Sequence, residues 1–254
     1  MRCSLKVGIA QMSMNWTVEE NTKTICNIIS EHRDLDILVF PELAITGFHR
    51  EIKKQTQSSI IENALKEIST QCKKSKILAF IGYPLVKGRV VYNAYAAVNE
   101  QGCIEPIWCK IGLTEGESTF FKPGYERPVL KHKLGVFSTY LCREASDVSS
   151  VVEQLSAESP SYILWPSYIG KRELPFKTES ATYDTDSAKI ARSLVAMVIQ
   201  CNWPHSLNNP KNHGLGGSKI ISNNGGVIAQ LPFDEVCVGV FSTTTQSFEV
   251  RKYV

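Results

Sequence analysis

Apolar positions follow two periods that alternate down the chain. Leu5-Lys-Val-Gly-Ile-Ala10 alternates in twos, as a strand does. Val18, Thr22, Ile25 and Ile29 then fall at helical spacing, with Asn15 or Thr17 as N-cap and Glu20 in the first turn. The short apolar run from Asp36 to Phe40 predicts a second strand. Ile61, Ala64, Leu65, Ile68 and Cys72 mark a second amphipathic helix, and Ile77 to Tyr83 a buried strand, so the chain opens as βαβαβ. Two strands in direct succession follow, 90–98 and 104–109. They are joined at Asn99-Glu-Gln-Gly102, whose glycine can take the positive φ a hairpin needs.

The second half echoes this order. A strand at 134–141 precedes a helix near 148–155, and a strand at 161–165 ends at Pro166. A helix at 183–194 leads to a strand at 196–201. Hairpin strands at 218–222 and 227–231 flank Asn223-Asn-Gly-Gly226, and a last strand covers 235–241. There is no repeat of fixed period. Helix-bearing strands followed by hairpins in each half nonetheless suggest two sheets packed face to face, with helices outside.

Composition adds limits. With 254 residues, 43% hydrophobic and 21% charged, the chain is expected to form one domain, 1–254, with a large core. A net charge of +3, spread over short clusters such as Lys53-Lys54 and Lys73-Lys74, gives no footprint for nucleic acid or an anionic membrane. No run of 18 apolar residues exists, and the alternating N-terminus is not an apolar leader, so a cytoplasmic location is expected. The eight cysteines are scattered, with no C-x-x-C pair and no nearby histidine pair, which speaks against a structural metal or a disulfide framework.

The chemistry gathers at three strand ends. Apolar runs deliver Glu42 as a carboxylate, Lys110 as an amine and Cys142 as a thiol followed by Arg143 and Glu144. Strand ends fix the backbone while their side chains face the crevice beyond the sheet. Each residue alone has a plainer reading: a packed core cysteine, a strand-ending acid, a surface lysine. A Cys-His arrangement of Cys142 with His205 or His213 is the competing dyad, and His49 and His132 have the surroundings of exposed loops. A thiol attacking an amide carbonyl needs a base to take its proton and fixed donors for the developing oxyanion. Glu42 suits the first role. Lys110, with the backbone N–H of Arg143, suits the second, and a neighbouring ammonium is expected to favour the thiolate.

Phe40-Pro-Glu-Leu-Ala-Ile-Thr-Gly47, the Lys110 to Gly124 segment and Leu141-Cys-Arg-Glu144 together resemble the three signature regions of the carbon-nitrogen hydrolase, or nitrilase, superfamily. Tyr92-Asn93-Ala94, Phe121-Lys-Pro-Gly124 and Gly216-Gly-Ser218 extend the resemblance over nearly the whole chain. It implies an α/β fold, an αββα four-layer sandwich of two mixed sheets. It also implies a Glu42, Lys110, Cys142 catalytic set, with Glu117 as a second glutamate that positions substrate or assists Glu42. The reaction implied is hydrolysis of a non-peptide C–N bond, in an amide or N-carbamoyl compound, through a thioester and without metal or organic cofactor. Arg143, Pro166, Ser167 and Tyr168 are the accompanying substrate or oxyanion candidates. Trp165, Trp203 and Phe48 are further candidates for an acyl pocket, and Lys171 or Arg172 for a substrate carboxylate.

The segment after Cys142 departs from the family's usual Asp and aromatic-Pro-Glu, which leaves acyl specificity open. Glutamine-dependent NAD synthetases and apolipoprotein acyltransferases are set aside, because they need an ATP-using domain and transmembrane helices respectively; true nitrilases tend to be longer. A nitrilase, a thiol-dependent acyltransferase and an inactive binding protein of the same fold stand as alternatives. The resemblance also implies a small amide-type substrate and a homodimer or higher homo-oligomer, paired through the helix face of Val148, Val151, Val152 and Leu155 and through the C-terminal strand region.

Overall fold

The computed structural model describes residues 5–170 and 177–253, with the side chains of 177–180 left aside. Strands β1 (Lys6–Gln11), β2 (Ile37–Val39), β3 (Leu78–Lys87), β4 (Val90–Val98) and β5 (Ile104–Cys109) belong to one sheet. Strands β6 (Leu130–His132), β7 (Gly135–Thr139), β8 (Tyr162–Ser167), β9 (Met197–Asn202), β10 (Lys219–Ile221) and β11 (Val227–Gln230) form the other. The chain then returns to the first sheet with β12 (Cys237–Ser242) and β13 (Phe248–Arg251), giving the order β13-β12-β1-β2-β3-β4-β5. The second sheet runs β11-β10-β9-β8-β7-β6. Both are mixed: β1, β2 and β3 pair in parallel, as do β7, β8 and β9, and the flanking pairs are antiparallel.

Period-two burial explains the layering. Ile37 and Val39 enter the core between the sheets with Val7, Ile9, Phe80, Phe137, Leu164 and Ile199, while Leu38 and Phe40 point the other way. On that outer side they meet α1 (Val18–Glu31) and α3 (Ser58–Ser75), which contribute Ile25, Ile29, Ile61 and Ile68. A short helix, α2 (Ile52–Gln55), precedes α3, and a single turn, α4 (Glu115–Ser118), follows β5. The second sheet is covered by α5 (Val148–Leu155) and α6 (Lys177–Leu194), whose Val151, Leu155, Ile190 and Ala191 pack on Ile163 and Trp165. The result is the four-layer αββα arrangement expected from the sequence.

Several boundaries differ from expectation for local reasons. Thr17 rather than Asn15 caps α1, its hydroxyl oxygen accepting from the Glu20 amide at 3.2 Å. The hydrophobic period does not predict β6 and β13, because Leu130-Lys-His132 and Phe248-Glu-Val-Arg251 are short, polar edge strands. α6 starts six residues before Tyr183, in a polar stretch without an apolar stripe. The α5 face expected to meet a second subunit is already committed: Val151 and Leu155 are buried, and Val148 and Val152 pack against the same cluster. Among the described residues no helix is long and apolar enough to cross a membrane.

Candidate active site

Glu42 stands in the turn that follows β2, and three contacts fix that turn. The Tyr95 hydroxyl donates to the Phe40 carbonyl at 2.8 Å, and the Trp203 indole N–H donates to the Glu42 carbonyl at 2.8 Å. From below, β3 presses against it at Gly82. A Cβ there would lie 2.3 Å from the Leu43 nitrogen and 2.7 Å from the Pro41 oxygen, so only glycine permits the approach. Lys110 directly follows β5. Its amide donates to the Asn93 carbonyl and its carbonyl accepts from the Gly124 amide, both at 2.8 Å. Gly124 is the glycine of Phe121-Lys-Pro-Gly124, and a Cβ on it would sit 2.3 Å from the Cys109 oxygen.

Glu117 owes its place to a capping box on α4. The Thr114 hydroxyl accepts from the Glu117 amide at 3.2 Å, and Glu117 Oε2 accepts from the Thr114 amide at 2.9 Å. Its other oxygen meets Lys110 Nζ at 2.6 Å, and Lys110 Nζ reaches Glu42 Oε1 at 2.8 Å. Asn93, on β4, bridges the two acids, donating to Glu42 Oε1 at 2.8 Å and to Glu117 Oε1 at 3.4 Å. All four side chains are buried. Two of the three ammonium donors of Lys110 are thus committed to carboxylates, and Glu42 Oε2 is buried without a partner.

Cys142 opens a 3-10 turn, Cys142–Ser146, two residues beyond β7's last neighbour Tyr140. Its φ of +51° places a non-glycine residue in the left-handed region, a strain of about 1–3 kcal/mol that the surroundings must hold. The Trp165 indole N–H does so by donating to the Cys142 carbonyl at 2.9 Å. The thiol faces the Tyr168 carbonyl at 3.8 Å, and the residue keeps partial exposure. The peptide N–H of Arg143 lies in the first turn of the 3-10 segment, where donors have no partner inside the helix.

Electrostatics departs from one expectation. Burial, followed by the charge of Glu42, pushes the Cys142 thiol above the ordinary cysteine range, and Lys110 offsets this only in part. The cation is shared by two carboxylates, so it does not leave a standing thiolate. Burial opposes charge on Lys110, yet the carboxylates around it hold it protonated above the ordinary lysine value. For Glu117 the Lys110 ammonium and the Thr114 donors overcome burial and lower its pKa; for Glu42 burial prevails and raises it. A buried carboxylate with a raised pKa therefore stands near a neutral thiol.

The other candidates divide. Phe48 and Tyr168, half-buried, stack with ring centroids 5.2 Å apart on the Tyr168 side of the thiol. Trp165 and Trp203 are fully buried and hold backbone carbonyls instead of lining a pocket. Pro166 and Ser167 are buried in β8, and the Ser167 hydroxyl is taken up by Asn202 at 3.2 Å and Gln200 at 3.1 Å, so it braces the strand end. The Arg143 guanidinium pairs with Asp147 at 2.9 Å. Lys171 and Arg172 lie outside the described residues. The Cys-His dyad finds no support: His205 sits against the Met14 amide at 3.1 Å, and His213 is exposed near Asp234. His49 is buried against Trp16 and His132 pairs with Glu100 at 3.2 Å, so neither is a free loop histidine. Sequence reasoning does not mark Asn93 as a site residue and gives Trp165 and Trp203 a place in an acyl pocket in place of the bracing they supply, although Thr114-x-x-Glu117 is a readable cap.

Residues 6–246 match the family model of carbon-nitrogen hydrolases. A glutamine-dependent NAD(+) synthetase of Xanthomonas campestris is 35% identical over 113 residues, 42% of this chain and 20% of that protein. The glutamine-dependent NAD+ synthetase of Acinetobacter baumannii superposes on 99% of this chain and 48% of its own, with a TM-score of 0.80 and 19% identity. The chain thus spans from a fifth to about half of the length of these synthetases. An amidase from Nesterenkonia covers 95% of this chain with 91% of its own, at TM-score 0.81 and 17% identity. A carbon-nitrogen hydrolase from Helicobacter pylori G27 covers 92% with 87% of its own, at TM-score 0.81 and 14% identity. The fold is that of the nitrilase superfamily, and with nearly its whole length matched the chain belongs to the carbon-nitrogen hydrolase family.

Proposed function

We propose that this protein hydrolyses a small carboxamide by acyl transfer to Cys142. The observation that carries the reading is the unpartnered, buried Oε2 of Glu42, a carboxylate whose pKa burial raises, close to the Cys142 thiol. Glu42 takes the thiol proton as sulfur bonds to the amide carbon. The third donor of Lys110 and the Arg143 N–H meet the oxyanion. Collapse breaks the C–N bond, and Glu42 returns its proton to the departing nitrogen, so ammonia or an amine leaves and a thioester remains. Water, losing a proton to Glu42, then attacks the thioester, breaks the S–C bond and restores the thiol. Glu117 keeps Lys110 charged and oriented.

A second reading has its own support in the 35% identity to a glutamine-dependent synthetase: glutamine as the amide, its nitrogen delivered to an acceptor. A panel of short amides, ω-amides including glutamine, carbamoyl amino acids and nitriles, read by ammonia release, tests both. Turnover of amides supports the first reading, and selective turnover of glutamine the second. Release from nitriles alone, or none from any compound, would defeat both. We also propose a homodimer on the strength of the family likeness, since the α5 face does not motivate it; light scattering at the mass of one chain would refute this.

A further inference from the structure

We propose that Glu144 is the positioning residue of this site, a buried clamp that sets the distance between the Cys142 thiol and the Lys110 ammonium; the proposal rests on the acyl-transfer reading above only for its kinetic arm. Glu144 is fully buried, two residues past the nucleophile. Its Oε1 accepts from the amides of Ile111 at 2.6 Å and Gly112 at 2.8 Å, the two residues directly after Lys110. Its Oε2 accepts from the amide of Leu141 at 2.6 Å, the residue directly before Cys142. One rigid carboxylate therefore joins the loop that carries the cation to the loop that carries the thiol.

These loops leave different sheets, one after β5 and one after β7. Without a bridge their spacing would follow the breathing of the two sheets against each other. Consecutive amides pointing at one oxygen make an anion cradle, and charge-assisted bonds of this kind are short and directional. Arg127 Nη2 stands 3.3 Å from Oε1 and supplies the countercharge, with both side chains buried. Gly112 lies against the seam and against the Arg143–Asp147 pair. A Cβ there would lie 2.5 Å from Asp147 Oδ2, 2.7 Å from Arg143 Nη1 and 3.2 Å from Glu144 Cγ. The clamp touches no reacting atom, so its effect reaches the chemistry only through the geometry of Cys142 and Lys110.

Glu144→Gln keeps the shape but turns one acceptor into a donor aimed at an amide N–H. The expected result is a folded variant whose kcat falls on the order of a hundredfold with KM little changed, because misplacement of catalytic groups by an ångström costs about that much. Independently of any substrate, the pH profile of Cys142 alkylation by iodoacetamide should move upward by roughly one unit as the thiolate loses its cation. An unchanged alkylation profile would overturn the clamp whatever the substrate proves to be. A displaced profile with no amide turned over by wild type would uphold the clamp and defeat the acyl-transfer reading. If Glu144→Gln does not fold, Glu144→Asp keeps the charge but shortens the clamp by one methylene, so one carboxylate no longer spans both loops. This variant should show the same displacement, and a wild-type profile there would overturn the proposal.

Discussion

Replacing Lys110 with methionine removes the cation between two buried carboxylates while keeping the length of the side chain. Lys110 is 1% exposed and lies 2.8 Å from Glu42 and 2.6 Å from Glu117, so neither acid has water to turn to once the ammonium is gone. Breaking a buried pair by deleting one partner costs about 3–5 kcal/mol. At about 2–4 °C per kcal/mol for a chain of this size, the melting temperature should fall by about 6–20 °C near pH 8. The penalty has a definite pH dependence. In the wild type, Lys110 keeps Glu117 below the ordinary carboxylate value, which contributes stability above that value and is lost as the pH falls through its folded pKa. The raised pKa of Lys110 keeps its own contribution intact through neutral pH, and that is lost only above the ordinary lysine range. In Lys110→Met the acids keep burial and mutual repulsion without the cation, so their pKa values rise above about 4.3. A carboxyl with a higher pKa in the folded state binds more protons there, and such a group loses stability as pH rises. The deficit of the variant should therefore be largest at pH 8 and shrink toward pH 5. Thermal melts of both proteins across that range decide it. A gap that stays constant, or widens on acidification, would refute the placement of Lys110 between two ionised acids.

Glu42→Gln should lower kcat by about 10²–10⁴ through loss of the base; a change in KM alone would make Glu42 a binding residue. The kcat/KM profile should rise with pH through a midpoint above the ordinary carboxylate value, because Glu42 acts deprotonated and burial raises its pKa. A midpoint at the value of an exposed glutamate would contradict this. Gly82→Ala forces the Glu42 turn off β3 and should cost about 1–3 kcal/mol together with activity. Gly8→Ala is the control: its Cβ would crowd the ends of Leu35 and Leu38 at 2.5 and 2.6 Å, away from the Glu42 turn, so it should destabilise without a comparable loss of kcat.

The layers were legible because strand and helix periods alternate so regularly here. Leu78–Lys87 and Val90–Val98 are long, largely apolar runs, and Asn99 to Gly102 marks its own turn. β6 and β13 escaped because edge strands need only one paired side and tolerate lysine, glutamate and arginine, which blurs the period. At the site, Glu42, Lys110 and Cys142 were readable as strand-end chemistry, and the structure brings all three together with Glu117. What could not be read was how they are held. The indoles of Trp165 and Trp203 read as pocket walls, since an apolar ring gives no sign that its N–H will pin a carbonyl 23 or 161 residues away. Charge on the thiol is hard to read for a related reason. Lys110 favours the thiolate, as its proximity implies, but the net outcome depends on burial and on Glu42 and Glu117 sharing that lysine, properties of the folded site.

In the proposed reaction Cys142 carries the acyl group. Intact-protein and peptide mass spectrometry of enzyme quenched during turnover of an amide found active in the panel should show one acyl adduct, on the Cys142 peptide, absent from Cys142→Ala. Turnover with no adduct on Cys142, or an adduct on Cys109 or Cys201 in its place, would contradict the account.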